Sequence, residues 1–378
     1  MSISLYIHVP FCLKKCNYCD FISYPYQEKE ALDYLYGLSE EMKLYDRYLP
    51  AEAKEVETVY IGGGTPTCLS ADNLATILKN CRHYFYLSPG VEISIEANPG
   101  TVDKKKLAIL REAGVNRLSI GVQACQQRLL RLLGRVHTYA QVQDTVLTAR
   151  EIGFANINLD LIFGLPEQTL DDWVDCLQQV LEFCPTHISA YGLQLEEGTP
   201  LWRDIRAKKL KLCDEETEIR MYERTIEILT GTGFRHYEIS NFSKPGKQCR
   251  HNLHYWHNLP YLGFGPAAHS FFFNYRFSNE VLLRKYIARL KVGELPIIER
   301  NKLTKQAVIE ETVFLGLRMI QGLDLEVFAR RFGQTVEEVF PGQIKRLLHF
   351  NLLEKNNGFL QLTRRGLLLA NQVFAEFV

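Results

Sequence analysis

Over the first 240 or so residues, short apolar runs alternate with segments of helical period, and this alternation constrains the fold more than any other feature. The runs cover residues 4–9, 58–61, 92–97, 117–121, 156–162 and 187–193. Helices are predicted between and after them at 33–45, 74–81, 104–113, 140–152, 170–181 and 215–230. Strand–helix alternation argues for parallel strands joined by crossover helices. Six such units fit an α/β fold built as a partial or full β/α barrel, with functional residues where strands end and loops begin.

The pattern changes near residue 241. A segment rich in Gly, Pro, His and aromatics runs to about 279, followed by predicted helices at 310–319, 325–331 and 343–350. Residues 358–362 and the following Thr363-Arg364-Arg365-Gly366 resemble the short wing of a winged-helix module, closed by one helix over 367–377. The expected division is a barrel over 1–240, a His- and aromatic-rich connecting segment over the site at 241–304, and a C-terminal helical module at 305–378. Winged helices often bind DNA. Here Lys plus Arg and Asp plus Glu are each 44, so no basic stripe supports nucleic acid, and a packing module is the better reading. No apolar run is long enough to span a bilayer, and the N-terminus lacks the pattern of a signal peptide, so the expected location is the cytosol.

In a reducing compartment the ten cysteines are expected as thiols. Seven are scattered, and Cys125 among them is expected to pack. The other three form Cys12-Leu-Lys-Lys-Cys16-Asn-Tyr-Cys19 directly after the first predicted strand. Thiolates this close can wrap one cluster through a single loop, leaving one iron open for chemistry. Zinc is the alternative, with His8 as a nearby imidazole, but structural zinc wants four ligands and no partner CxxC exists. At the end of the second run stands Gly62-Gly63-Gly64-Thr65-Pro66-Thr67. Such a turn permits positive φ and offers backbone N–H groups to a carboxylate or phosphate, or it is only a tight turn.

Together these motifs resemble the radical SAM superfamily. Tyr6-Ile-His-Val-Pro-Phe-Cys12, the glycine turn, Glu96-Ala-Asn-Pro99, Ser119-Ile-Gly-Val-Gln123 and Asn158 through Thr169 look like the HemN/HemW family. That family contains oxygen-independent coproporphyrinogen III oxidases and HemW-type heme chaperones. The resemblance implies a 4Fe–4S cluster on Cys12, Cys16 and Cys19. It implies S-adenosylmethionine (SAM) bordered by Tyr6 and held by Gly63 and Glu96, with a second SAM region lined by Tyr18, Gly64, Thr65, Gln123, Arg135 and Asp160. Individually, Asp160 reads as a strand-end cap, Gln123 as a buried hydrogen-bonder and Arg135 as a surface charge.

Two departures separate the chain from the oxidase pattern. Phe21 stands where that pattern has a fourth cysteine, and only eleven residues precede Cys12. A third feature, His251-Asn252-Leu253-His254-Tyr255-Trp256, matches an HNxxYW motif that the resemblance links to heme. His251 is then a candidate axial ligand, with a hydrogen-bonded structural knot as the alternative. The resemblance implies a heme chaperone with hemoprotein recipients such as respiratory enzymes, and leaves a homodimer and transient membrane association open. An active radical SAM enzyme acting on a tetrapyrrole is the competing reading, and a DNA-binding regulator a minor one.

Overall fold

In the computed structural model, which describes residues 2–378, the six apolar runs are six strands. They are β1 Ile3–Val9, β2 Glu55–Gly63, β3 Tyr86–Ala97, β4 Arg117–Gln123, β5 Ile157–Phe163 and β6 His187–Gly192. They lie in sequence order and every neighbouring pair is parallel. A helix follows each strand: α1 Glu28–Tyr48, α2 Ala71–Tyr84, α3 Lys104–Glu112, α4 Tyr139–Glu151, α5 Leu170–Glu182 and α6 Glu215–Gly231. Five of these starts carry a side-chain cap, in which Ser70, Asp103, Thr138, Thr169 or Asp214 accepts the N–H three residues on. Each cap satisfies one of the N–H groups that a helix start leaves without a partner.

The strands alternate with period two, and the alternation decides what faces the barrel interior. Ile3, Leu5, Ile7 and Val9 of β1, with Val59 and Ile61 of β2 and Ile93 and Ile95 of β3, join the main hydrophobic core. The intervening positions are polar, and in register they pair Ser4 with Thr58, Tyr6 with Tyr60, Ser94 with Arg117, Ser119 with Asn158 and Asp160 with Ser189. The interior is therefore lined with hydrogen-bonding groups, while the apolar face packs on the helices.

The barrel does not close. On its outer side β1 pairs in parallel with Tyr261–Phe264, and the antiparallel strands His269–Phe272, Tyr275–Asn279 and Ile297–Lys302 extend the sheet. Beyond β6 lies the hairpin of Arg235–Glu238 and Asn241–Ser243. Thus the Gly- and aromatic-rich stretch after residue 241 contributes strands to the central sheet. The sequence hid them because each is three to six residues long and positive-φ residues such as Ala267, Phe273 and Asn274 interrupt any period.

Residues 305–378 form a second hydrophobic cluster. Helices Lys305–Gly316, Leu325–Phe332 and Pro341–His349 precede a hairpin, Leu353–Asn356 and Phe359–Leu362, in a winged-helix arrangement. Four details differ from the sequence reading. The wing turns at Asn357-Gly358, both at positive φ, the combination that a tight two-residue hairpin turn favours. Thr363 is not wing but the N-cap of Arg364–Leu368, and the predicted single helix is two, with Ala370–Ala375 the second. The helix predicted to reach 319 stops at Gly316, because the backbone beyond it is strapped to the barrel: Ile239 N donates to Arg318 O at 3.1 Å and Ile320 N to Tyr237 O at 3.1 Å.

Candidate functional site

The cysteine loop and the glycine turn leave the same end of two neighbouring strands, since β1 ends at Val9 and β2 at Gly63. The cysteine loop is pinned at its feet, where Phe11 and Cys12 pair in parallel with Tyr24 and Pro25. In its middle, Asn17 N donates to Leu133 O and Asn17 Nδ2 to Leu132 O, each at 2.9 Å. Lys15 Nζ closes the loop on Phe21 O at 2.9 Å.

All three thiols line one cavity of about 730 Å³, a size typical of cofactor pockets. Among the described residues, no group of three or more His, Cys, Asp or Glu side chains is set to hold a lone metal ion. His8 is not a spare ligand either. Its Nδ1 lies 3.1 Å from Tyr6 Oη and its Nε2 3.0 Å from Ile22 O. Three thiols from one loop around a cavity of this size fit a cluster with one open iron.

A polar chain connects two of the sulfurs. Thr65 Oγ1 lies 3.6 Å from Cys12 Sγ, and Arg135 Nη1 lies 3.6 Å from Cys16 Sγ. Asn98 joins them, donating to Thr65 Oγ1 at 2.9 Å and accepting from Arg135 Nη2 at 2.7 Å. A methyl group on Gly121 would sit 2.9 Å from Asn98 Oδ1 and 3.0 Å from Arg135 Nη2, so this glycine is what admits the guanidinium. Burial pushes the Cys19 thiol up to about 11, so thiolate there needs a cation.

The glycine turn works differently from its sequence reading. Only Gly63, at φ 109°, is left-handed. Its N–H groups are not open to a ligand: Gly63 N donates to Glu96 Oε2 at 3.2 Å, Gly64 N to Val9 O at 2.9 Å and Thr65 N to Phe11 O at 2.7 Å. Gly64 is needed for close approach instead, since a Cβ there would lie 2.6 Å from the Phe11 carbonyl oxygen. The turn docks the cysteine loop and orients Glu96.

Four carboxylates line the cavity, Asp20 and Glu196 from loops and Glu96 and Asp160 from strands. Glu96 accepts from Tyr60 Oη at 2.9 Å as well as from Gly63, and burial, reinforced by the charge of Asp160, pushes it up to about 7. Asp160 accepts from Ser119 Oγ at 2.9 Å and from Asn158 Nδ2 at 2.8 Å, and burial raises it too. Both would gain from a cation or from hydroxyl donors. Gln123 reaches the cavity from a bulge at φ 66°, where the register between β4 and β5 slips. Tyr18, Gly63, Gly64 and Thr65 also line it. Tyr6 does not; it lies one layer back, stacked on Tyr60 with ring centroids 6.3 Å apart. Cys125 is buried, donates to Cys176 O at 3.6 Å and is not part of the lining. Tyr60, Asn98, Ser119, Asn158 and Arg318 were missed as site residues; for the strand residues among them, polar side chains at alternate positions of apolar runs were the available signal.

His251 is elsewhere. It belongs to α7, Arg250–Trp256, whose N-terminus is held by Glu92: the N–H groups of Arg250 and His251 each donate to its carboxylate at 3.2 Å. His251 is 1% exposed, with Nδ1 2.7 Å from Thr58 Oγ1 and Nε2 2.9 Å from Tyr255 Oη. Thr58 and Glu92 precede Gly63 and Glu96 on the same strands, so α7 plugs the end of the barrel away from the cysteines. Both ring nitrogens are thus hydrogen-bonded in a buried network in the ligand-free chain. The motif meets the cavity from behind its wall: His251 stacks on the cavity-lining Tyr60, with ring centroids 5.1 Å apart.

Comparison with known proteins agrees with this architecture. Residues 6–180 match the model of the radical SAM superfamily, and residues 303–369 that of the HemN C-terminal domain. The chain is 38% identical to the heme chaperone HemW of Bacillus subtilis, across 99% of both chains. It is 33% identical to the heme chaperone HemW of Escherichia coli, across 100% of this chain and 98% of that one. Its fold is similar to coproporphyrinogen III oxidase (HemN) from Escherichia coli, a radical SAM enzyme, with a TM-score of 0.88 at 26% identity, covering 100% of this chain and 90% of that one. Fold, paired domains and full-length likeness together place this chain in the radical SAM superfamily, in the family whose curated members are named heme chaperone HemW.

Proposed function

We propose that the chain is a HemW-like heme chaperone, which binds heme and passes it to hemoproteins such as respiratory enzymes. In this reading Cys12, Cys16 and Cys19 hold a 4Fe–4S cluster, and Gly63, Glu96, Gln123, Arg135 and Asp160 hold SAM in the adjoining cavity, with Tyr18, Gly64 and Thr65 on its walls. When bound, such a cluster supplies an open iron for the amine and carboxylate of SAM and an electron for its reduction. The protein's own part is to keep three thiols on one pinned loop, aim Thr65 and Arg135 at two of them, and present two carboxylates to the cationic and hydroxyl groups of the ligand. The observation that carries the reading is the full-length likeness to relatives named heme chaperone in a chain whose three-thiol cavity is intact. Phe21 agrees with it: it stands 61% exposed on the cavity wall, where the oxidase pattern has a cysteine. Heme titration of the purified protein, before and after anaerobic cluster reconstitution, tests it. A stoichiometric Soret change is expected, and its absence in both states would end the proposal.

The fold likeness to coproporphyrinogen III oxidase favours a second reading, an active radical SAM enzyme acting on a tetrapyrrole. Substrate-dependent 5′-deoxyadenosine formed anaerobically with dithionite would support it, and SAM turnover that ignores every tetrapyrrole offered would remove it.

A further inference from the structure

The C-terminal module sends one side chain into the cavity. Its strap along residues 237–239 fixes the backbone of Arg318, and the guanidinium lines the cavity wall beside Ser240 and Tyr191. The group lies over the indole of Trp256, its carbon 4.3 Å from the ring centroid. Stacking fixes the plane of a guanidinium while leaving its N–H donors pointing outward from the edge. Here those donors are not all used. Nε is buried without a hydrogen-bond partner, and the paired carboxylate, Glu238 Oε2, is 3.8 Å from Nη2, outside hydrogen-bond range. The other Glu238 oxygen already accepts from Ser240 N at 3.0 Å. A planar, oriented guanidinium with spare donors on a cavity wall is suited to a carboxylate.

Two carboxylates could come there, that of SAM or a propionate of a tetrapyrrole. The amino-acid end of SAM belongs at the open iron, where Arg135 already stands 3.6 Å from Cys16 Sγ. Arg318 comes instead from the C-terminal module, stacked on Trp256 at the end of the plug helix. We propose that Arg318, held against Trp256, binds a propionate carboxylate of heme, so that the C-terminal module completes the cargo site. This rests on the heme reading above.

The test uses the full chain after anaerobic reconstitution, as wild type, Arg318→Gln and Arg318→Lys, titrated with heme, heme dimethyl ester and SAM. Wild type is expected to bind the ester about tenfold more weakly than heme. Arg318→Gln is expected to lose about tenfold for heme while keeping its affinities for the ester and for SAM. Arg318→Lys should recover part of the loss, since charge remains but the fork does not. Heme affinity unchanged in Arg318→Gln overturns the proposal, as does a loss confined to SAM. An ester penalty as large in Arg318→Gln as in wild type also overturns it, because the propionate must then be held elsewhere. If Arg318→Gln does not fold, the ester penalty in wild type and its reduction in Arg318→Lys decide the matter. Wild type that binds neither heme nor ester fails one step earlier, on the heme reading, and the propionate assignment falls with it.

Discussion

The two ends of the barrel carry the two most motif-rich segments of the chain, and they differ in kind. At one end Cys12, Cys16 and Cys19 surround a cavity, with Glu96 pushed up to about 7 and Gln123 held at φ 66°. At the other end His251, Thr58, Tyr255 and Glu92 exchange hydrogen bonds among themselves, in the interior. Both ends are rich in groups that bind metals or cofactors. The difference is whether those groups face a cavity or only one another. A site keeps capacity in reserve at an energetic cost, whereas a plug spends it on folding.

Four experiments would break or sharpen that contrast. The largest effect is expected at the cysteines. Cys12→Ala, Cys16→Ala or Cys19→Ala should leave at most about a tenth of wild-type iron after anaerobic reconstitution, because each removes one of only three ligands. Full iron content in any one of them would deny that the loop is the cluster site.

Next comes the plug. His251→Ala should lower stability by about 2–4 kcal/mol, since it opens a cavity and takes from the Tyr255 hydroxyl its hydrogen-bond partner. Denaturant unfolding measures this. Once folded, the variant should bind heme within about twofold of wild type. A large loss of heme affinity with unchanged stability would reverse the roles of the two ends.

The third test is electrostatic. Burial holds Glu96 up at about 7 in the ligand-free protein, and the sulfonium of bound SAM would lower it. SAM affinity should therefore rise with pH through about 7 and be lost below it, by at most about tenfold per unit. Glu96→Gln should flatten this dependence and cost about tenfold at pH 8. A wild-type profile flat from pH 6 to 8 would show that Glu96 does not meet the cation. The smallest effect is expected at Phe21→Cys. The side chain is 61% exposed, so stability should stay within about 0.5 kcal/mol and iron content at the wild-type level. Loss of the cluster in this variant would mean that Phe21 shields it.

Much of the cavity could be read from the chain. The six strands were found because their apolar positions face the helices continuously. The thiols were found because one short loop carries all three. Asp160, Arg135 and Gln123 came only through resemblance, since a lone carboxylate, guanidinium or amide has many uses. The glycine turn was located but misread: which of its N–H groups are free depends on Val9 and Phe11, which approach from another strand end. The partners of His251 were hidden for a similar reason, since Thr58 comes from a distant strand. Imidazole next to aromatics looks the same in sequence whether it meets iron or a threonine hydroxyl.

By itself the sequence determined what is local: the strand–helix alternation, the helix caps, and the spacing that puts three sulfurs on one short loop. Tertiary structure alone decided which polar groups are left unsatisfied. Thr58 and His251 are 193 residues apart, and Arg318 reaches the cavity only because its backbone is strapped to residues 237–239. The physical reason is that a side chain's chemistry belongs to the residue, while its burial and its partners belong to the packing.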